Sequence, residues 1–401
     1  MPDATYVRKG FGLRAEVEDA LASDYAGRLV DHLRANDFVL RTGDVTIQLA
    51  KEFGFCYGVE RAVEYAYQTR KKFPDRRIFL AGEIIHNPHV NAKLSEMGIE
   101  FLRAGERGFD YSVVKAEDVV ILPAFGVTIA DFEQLRAMGC VVVDTTCGSV
   151  LNVWKRVETY ARDSFTALIH GKYYHEETRA TASQVTKYAD GRYIVVRNLD
   201  EAKLVCDYIE GQGDRAEFLK RFGHAANPGF DPDNDLRRVG VANQTTMLAR
   251  ESLAVAELVG ASMARRFGET HRAEHFRTFD TICSATQDRQ DAVLALLAEP
   301  LDVMLVIGGY NSSNTISLAA ICADRVRTYH VEDAACIDPD AVTIRHQPIG
   351  AKTESVADHW LAPAGPVRIG LTAGASTPNN KIGEAVARVL RTRGIDPASI
   401  A

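Results

Sequence analysis

One pattern repeats along this chain and limits its possible folds more than any other feature. A short apolar run is followed by a polar loop rich in Gly, Ser, Thr, His or Asn, and then by an amphipathic helical stretch. Residues 45–49 lead through Cys56 to a helix near 59–70, and 77–81 lead through Glu83-Ile-Ile-His-Asn-Pro to a helix near 89–97. Residues 140–143 lead to Asp144-Thr-Thr-Cys-Gly and a helix ending near Tyr160. The same step recurs at 119–122, 165–169, 239–242, 303–307 and 368–371. Strands alternating with helices predict an α/β fold of mostly parallel sheets under helical cover. In such sheets ligands bind beyond the carboxyl ends of the strands, where these polar loops fall.

A chain of 401 residues exceeds a single core, so two or three domains are expected. Residues 1–43 read as a mostly helical N-terminal extension, with helical spacing at 16–21 and 26–33. The polar stretch 207–238, with Asn227-Pro-Gly-Phe-Asp-Pro-Asp-Asn-Asp, reads as a surface insertion. A hydrophobic share of 46% with 25% charged residues is that of a soluble globular protein. The net charge of −7 offers no general attraction to nucleic acid or to an anionic membrane. No apolar run reaches membrane-spanning length and the first residues do not form a secretory signal, so a cytoplasmic protein with reduced thiols is expected.

Seven cysteines, an odd number, argue against a complete disulfide framework. Cys56, Cys147 and Cys283 each occupy a strand-to-helix loop, where thiolates can converge on one soft metal centre. Three cysteine ligands leave a fourth position open, as a catalytic centre requires. A zinc site normally has Cys-x-x-Cys pairs or four ligands, and a disulfide redox enzyme has a vicinal pair; neither is present. Three single, distant cysteines suit an iron–sulfur cluster with one open iron. Cys140, Cys206, Cys322 and Cys336 fall in apolar or helical contexts and read as packing thiols.

The loop Gly308-Gly-Tyr-Asn-Ser-Ser-Asn precedes a helix, so its glycines and the helix N-terminus suit phosphate oxygens. Ser312, Ser313 and Asn314 either add hydrogen bonds to such an anion or simply cap the helix. Thr372-Ala-Gly-Ala-Ser-Thr-Pro, with Ser376, is a second such loop. Neither matches the phosphate-loop signature of nucleotide hydrolases. His86 and His175 are either solvated or capping loop residues or anion ligands that a neighbouring charge can hold protonated. Glu177 is either a buried proton donor or an exposed glutamate favoured at a helix start.

Taken together, these residues resemble the 4-hydroxy-3-methylbut-2-enyl diphosphate reductase (IspH/LytB) family. The matching stretches, in family order, are Gly54-Phe-Cys-Tyr-Gly-Val, Glu83-Ile-Ile-His-Asn-Pro, Asp144-Thr-Thr-Cys and His175-Glu-Glu-Thr-Arg-Ala-Thr. Further on come Gln244-Thr-Thr, Thr281-Ile-Cys-Ser-Ala-Thr-Gln-Asp-Arg-Gln, Asn311-Ser-Ser-Asn and Thr372-Ala-Gly-Ala-Ser. The resemblance implies a trefoil of three pseudo-threefold-related α/β domains around a central 4Fe–4S cluster, one per subunit, bound by Cys56, Cys147 and Cys283. The domains would span 44–147, 148–280 and 281–401. It implies reductive removal of the substrate's terminal hydroxyl, giving isopentenyl and dimethylallyl diphosphate at the end of the methylerythritol phosphate route. By the same analogy Glu177 delivers protons, Thr245 touches the substrate hydroxyl and Gln244 supports that network. His86, His175, Ser312, Ser313, Asn314 and Ser376 would hold the diphosphate, and ferredoxin or flavodoxin would supply electrons.

One departure stands out: where many family members carry Ala-His-Gly, this chain has Ala124-Phe125-Gly126. A phenylalanine cannot donate the hydrogen bond that the histidine gives the diphosphate. This loop, the N-terminal extension, the loop 170–178 and the 207–238 stretch resemble the longer, cyanobacterial and plastid-like branch. Two other readings compete. Quinolinate synthase also sets three cysteines on an open cluster, but Asn311-Ser-Ser-Asn and the Glu177 region speak against it. A non-enzymatic cluster-bearing sensor would not need the histidine, serine and glutamate set.

Overall fold

The computed structural model describes residues 5–105, 108–279 and 281–400. The chain forms two compact units, one from residues 5–8, 76–82 and 100–283, the other from 9–75, 83–99 and 284–400.

The first unit holds two parallel sheets. In one, Val119–Leu122 is flanked by Val141–Asp144 and Ile78–Leu80, with Tyr6–Val7 beside Val141–Asp144. Val119–Leu122 reads Val-Val-Ile-Leu and is buried at every position, as a strand covered on both faces must be. In the other sheet the order is Tyr193–Val196, Thr166–His170, Val239–Asn243, Phe276–Thr278, all parallel. Both parallel sheets deliver their polar loops at the carboxyl ends of the strands, as the alternation predicts.

The second unit contains one mainly parallel sheet in the order Thr328–Val331, Val303–Ile307, Val367–Ala373, Val45–Leu49, Val39–Thr42. Only the last pair is antiparallel, a hairpin turning at Gly43 with φ +55°. A small antiparallel sheet of Ile337–Asp338, Thr343–His346 and Ser355–Asp358 completes this unit. Among the described residues no helix is long and apolar enough to cross a membrane.

Three sequence expectations need correction. The domains are not consecutive: Val45–Leu49 pairs with Val367–Ala373, far along the chain, instead of opening a domain that runs to 147. The N-terminal extension is not peripheral either: residues 9–43 belong to the second unit. The expected helices are present as Arg14–Tyr25 and Arg28–Ala35, but Val30 and Leu33 are wholly buried in one core with Ile382, Val386 and Leu390. Gly27 allows that approach, because a Cβ there would stand 2.5 Å from the Asn379 carbonyl oxygen. Finally, 207–238 is no surface insertion. Its helix Arg215–Phe222 spaces Phe218 and Phe222 four apart, so both rings face inward, and they share a core with Phe230, Leu236, Val205 and Val259. The stretch looked polar because the aromatic residues are few and the rest of the helix is solvated.

Candidate functional site

The cysteines divide by environment as the sequence suggested. Cys56, Cys147 and Cys283 are partly exposed, whereas Cys140, Cys206, Cys322 and Cys336 are buried. Burial pushes the thiols of Cys206 and Cys322 up to about 12 and raises that of Cys140, so these three behave as inert packing groups. Cys56 and Cys147 are the N-caps of helices Tyr57–Lys72 and Gly148–Arg162, and Cys283 directly precedes helix Ser284–Leu296. The backbone fixes two of these positions: Cys56 N–H donates to Ala375 O (3.2 Å) and Cys147 N–H to Ala124 O (2.8 Å). Cys283 follows Thr281, whose hydroxyl donates to the Asn243 side chain and accepts from Asn243 N–H (3.2 Å) at the end of strand Val239–Asn243. Soft sulfur donors on rigid strand ends fit a thiolate-held metal or cluster.

In the first unit, strand Thr166–His170 leads through Gly171-Lys-Tyr-Tyr to His175, the N-cap of helix Glu176–Ser183. His175 Nδ1 accepts the Glu177 backbone N–H at 3.1 Å. That bond engages Nδ1 in capping the helix, with Glu176 Oε2 4.0 Å from the same nitrogen. Glu177 is 3% exposed, which removes the exposed helix-start alternative. Its Oε1 accepts the Thr245 N–H at 2.6 Å. Gln244, fully buried, accepts at Oε1 from Thr178 Oγ1 and from Lys172 N–H, each at 3.1 Å, and donates from Nε2 to Thr246 Oγ1 at 3.0 Å. Phe125 presents its ring edgewise to His175, with centroids 6.2 Å apart.

In the second unit, three loops meet. His86 Nδ1 lies 2.9 Å from Glu83 Oε2, and Asn311 Nδ2 donates to the same oxygen at 3.0 Å. Ser376 Oγ donates to His86 O at 3.1 Å, and Asn314 Oδ1 accepts Ala375 N–H at 2.9 Å. Ser312 caps helix Ser313–Ala323, its Oγ accepting Thr315 N–H at 3.4 Å, so the capping alternative holds for that residue. Asn314 Nδ2 is buried and lacks a hydrogen-bond partner, a donor kept out of water without an acceptor. Gly308, at φ +144°, turns the loop where a Cβ would stand 2.6 Å from Thr377 Oγ1.

Five of the six expected diphosphate residues, His86, Ser312, Ser313, Asn314 and Ser376, thus sit in the second unit. His175 sits in the first with Glu177, Gln244 and Thr245. Sequence reasoning missed Glu83, Asn311, Thr178, Lys172 and Arg289 as supporting groups. Glu83, Thr178, Arg289 and Asn311 belong to the motifs named above, so position within a motif is the available signal. Desolvation holds the Lys172 ammonium below the ordinary lysine value.

The sequence matches the LytB protein family over residues 47–390. The 4-hydroxy-3-methylbut-2-enyl diphosphate reductase of Gloeobacter violaceus is 49% identical, over 98% of this chain and 94% of its own length. That of Thermosynechococcus vestitus is 48% identical, over 98% and 96%. Among solved structures, that of (E)-4-hydroxy-3-methyl-but-2-enyl diphosphate reductase, the terminal enzyme of the non-mevalonate pathway, matches at 30% identity. Its TM-score is 0.52, with 86% of this chain and 98% of that chain covered. The Plasmodium falciparum E-1-hydroxy-2-methyl-but-2-enyl-4-diphosphate reductase matches in fold, with a TM-score of 0.61 at 22% identity over 86% and 87% of the two chains. With the family match running through nearly all the strand-and-loop motifs, the chain belongs to the LytB protein family.

Proposed function

We propose that this protein reductively dehydroxylates (E)-4-hydroxy-3-methylbut-2-enyl diphosphate to isopentenyl and dimethylallyl diphosphate. In the balanced reaction one C–O bond breaks, two electrons and two protons are consumed, and one C–H bond and one water form. The observation that carries this reading is the division of the cysteines: the three in strand-to-helix loops are accessible, and all the others are buried.

Cys56, Cys147 and Cys283 would hold a 4Fe–4S cluster, leaving one iron without a protein ligand. When bound, such a cluster supplies electrons one at a time and Lewis acidity toward a leaving hydroxyl. Ser312, Ser313 and Asn314 donate to diphosphate oxygens, with the unsatisfied Asn314 Nδ2 the clearest donor, and Ser376 joins them once its hydroxyl turns from His86 O to the ligand. His86 is steadied by Glu83, and His175 donates from Nε2. Glu177 delivers protons from Oε2, while Thr245 N–H fixes Oε1 and hence the carboxyl plane. Thr245 Oγ1 orients the substrate hydroxyl, and the bonds at the Gln244 amide hold the Thr245 backbone. A one-electron protein carrier, ferredoxin or flavodoxin, supplies the electrons in the cytoplasm.

The test is anaerobic reconstitution with iron and sulfide, followed by spectroscopy and turnover with an artificial one-electron donor. A 4Fe–4S signal that shifts with substrate, together with both five-carbon diphosphates, is expected. A well-formed cluster without turnover would refute the reductase reading. Folded protein that takes up no cluster would refute the cysteine assignment.

A further inference from the structure

We propose that Arg289 is the buried counter-charge of the cysteine-held cluster and sets how readily that cluster accepts an electron. The inference rests on the cluster reading above. Arg289 belongs to helix Ser284–Leu296, which follows Cys283, and is 4% exposed. Its guanidinium donates to Gly54 O from Nη2 (2.7 Å) and Nε (3.3 Å), and to Ala285 O from Nη1 (2.8 Å). Among the described residues no carboxylate pairs with it within 4.0 Å.

This is an unusual environment for a cation. A buried guanidinium that meets only neutral carbonyls carries a desolvation cost that hydrogen bonds alone do not offset. Arginine does not escape that cost by releasing a proton. The compensation must come from an anion that the polypeptide's own carboxylates do not provide. The position of Arg289 identifies that anion. Gly54 stands two residues before Cys56, in the left-handed region at φ +68°, and its N–H is held by Ala373 O (3.3 Å). Arg289 therefore clamps the carbonyl of the loop that ends on one cysteine ligand, from the helix that begins at another.

An iron–sulfur core held by cysteinates is anionic, and more so after it takes an electron. A fixed buried cation beside its ligand loops favours the reduced state more than the oxidised one. Arg289 raises the reduction potential and brings the cluster within reach of its electron donor. A purely structural role, tying Gly54 to the helix, makes no such distinction between redox states.

Two substitutions separate the alternatives in the reconstituted full-length protein. Arg289→Gln keeps an N–H for Gly54 O and removes the charge, whereas Arg289→Lys keeps the charge and loses the forked geometry. The measurements are the midpoint potential by spectroelectrochemical titration, the iron content and circular dichroism. The expected result is a negative shift in Arg289→Gln with a full complement of iron, and a midpoint near wild type in Arg289→Lys. A wild-type midpoint in iron-replete Arg289→Gln, or equal shifts in both variants, overturns the proposal. If Arg289→Gln folds poorly, the rise in melting temperature on reconstitution is compared instead. It should be smaller for Gln than for Lys or wild type, and equal rises overturn the proposal. Wild-type protein that forms no cluster would overturn the cluster reading and this inference together. A normal wild-type cluster with an unmoved variant midpoint would overturn this inference alone.

Discussion

Phe125 meets His175 edge-to-face, their ring planes at 72° and both side chains buried. The phenylalanine cannot donate to a diphosphate, but it can hold the histidine proposed to do so. An aromatic pair of this kind is worth about 0.5–1.5 kcal/mol beyond its area. Phe125→Ala should therefore raise KM for the diphosphate substrate by roughly 2- to 12-fold with little change in kcat. Steady-state kinetics on iron-replete protein checks this, and a kcat collapse at constant KM would contradict it.

Glu177→Gln preserves the shape of the side chain and an acceptor for Thr245 N–H, but it cannot relay a proton. The variant should retain iron and its spectrum while turnover falls by roughly 10²- to 10⁴-fold. Near-normal turnover would remove Glu177 from proton transfer.

Iron content should follow the division of the thiols. Cys56→Ser, Cys147→Ser and Cys283→Ser should each lose most bound iron after anaerobic reconstitution. Cys206→Ala should keep the full complement, at a modest cost in stability from the lost packing. Iron and sulfide assays on the four variants decide the matter.

Acid should loosen the fold through two histidines. His170 and His330 are buried, and desolvation pushes both down to about 4 from an ordinary 6.5. As pH falls below 6.5 the unfolded chain takes up protons that the folded chain refuses. Stability should thus decline between pH 6.5 and about 4, by roughly 3 kcal/mol for each histidine. His330 also donates a hydrogen bond from Nε2 to Gly308 O at 2.9 Å, so the loop starting at Gly308 should loosen first. Denaturant melts at pH 7 and pH 5 test this; His330→Gln should flatten the dependence.

Much of the site was legible because its chemistry lies in short motifs at strand ends. Cys56, Cys147 and Cys283 stand at helix starts, and Glu177 is buried. Less was legible where partners are distant. Nothing local to Val45–Leu49 shows that it joins Val367–Ala373, because strand order depends on interactions between remote segments. The stretch 207–238 was misread because its inward-facing apolar residues, among them Phe218, Phe222, Phe230 and Leu236, are diluted by solvated charges. That the His175 ring caps its own helix appears only once the backbone is folded.

The pairing of Val45–Leu49 with Val367–Ala373 also has a consequence for how the protein is made. Some 320 residues separate the two strands, so at ribosomal rates of about 5–20 residues per second the wait is roughly 15–65 seconds. During that interval Val45, Ile47 and Leu49, buried in the finished sheet, have only the short hairpin to Val39–Thr42, and a lone hairpin is marginal in water. The second unit is therefore completed late in synthesis, and its nascent N-terminal strand is the segment most in need of a chaperone.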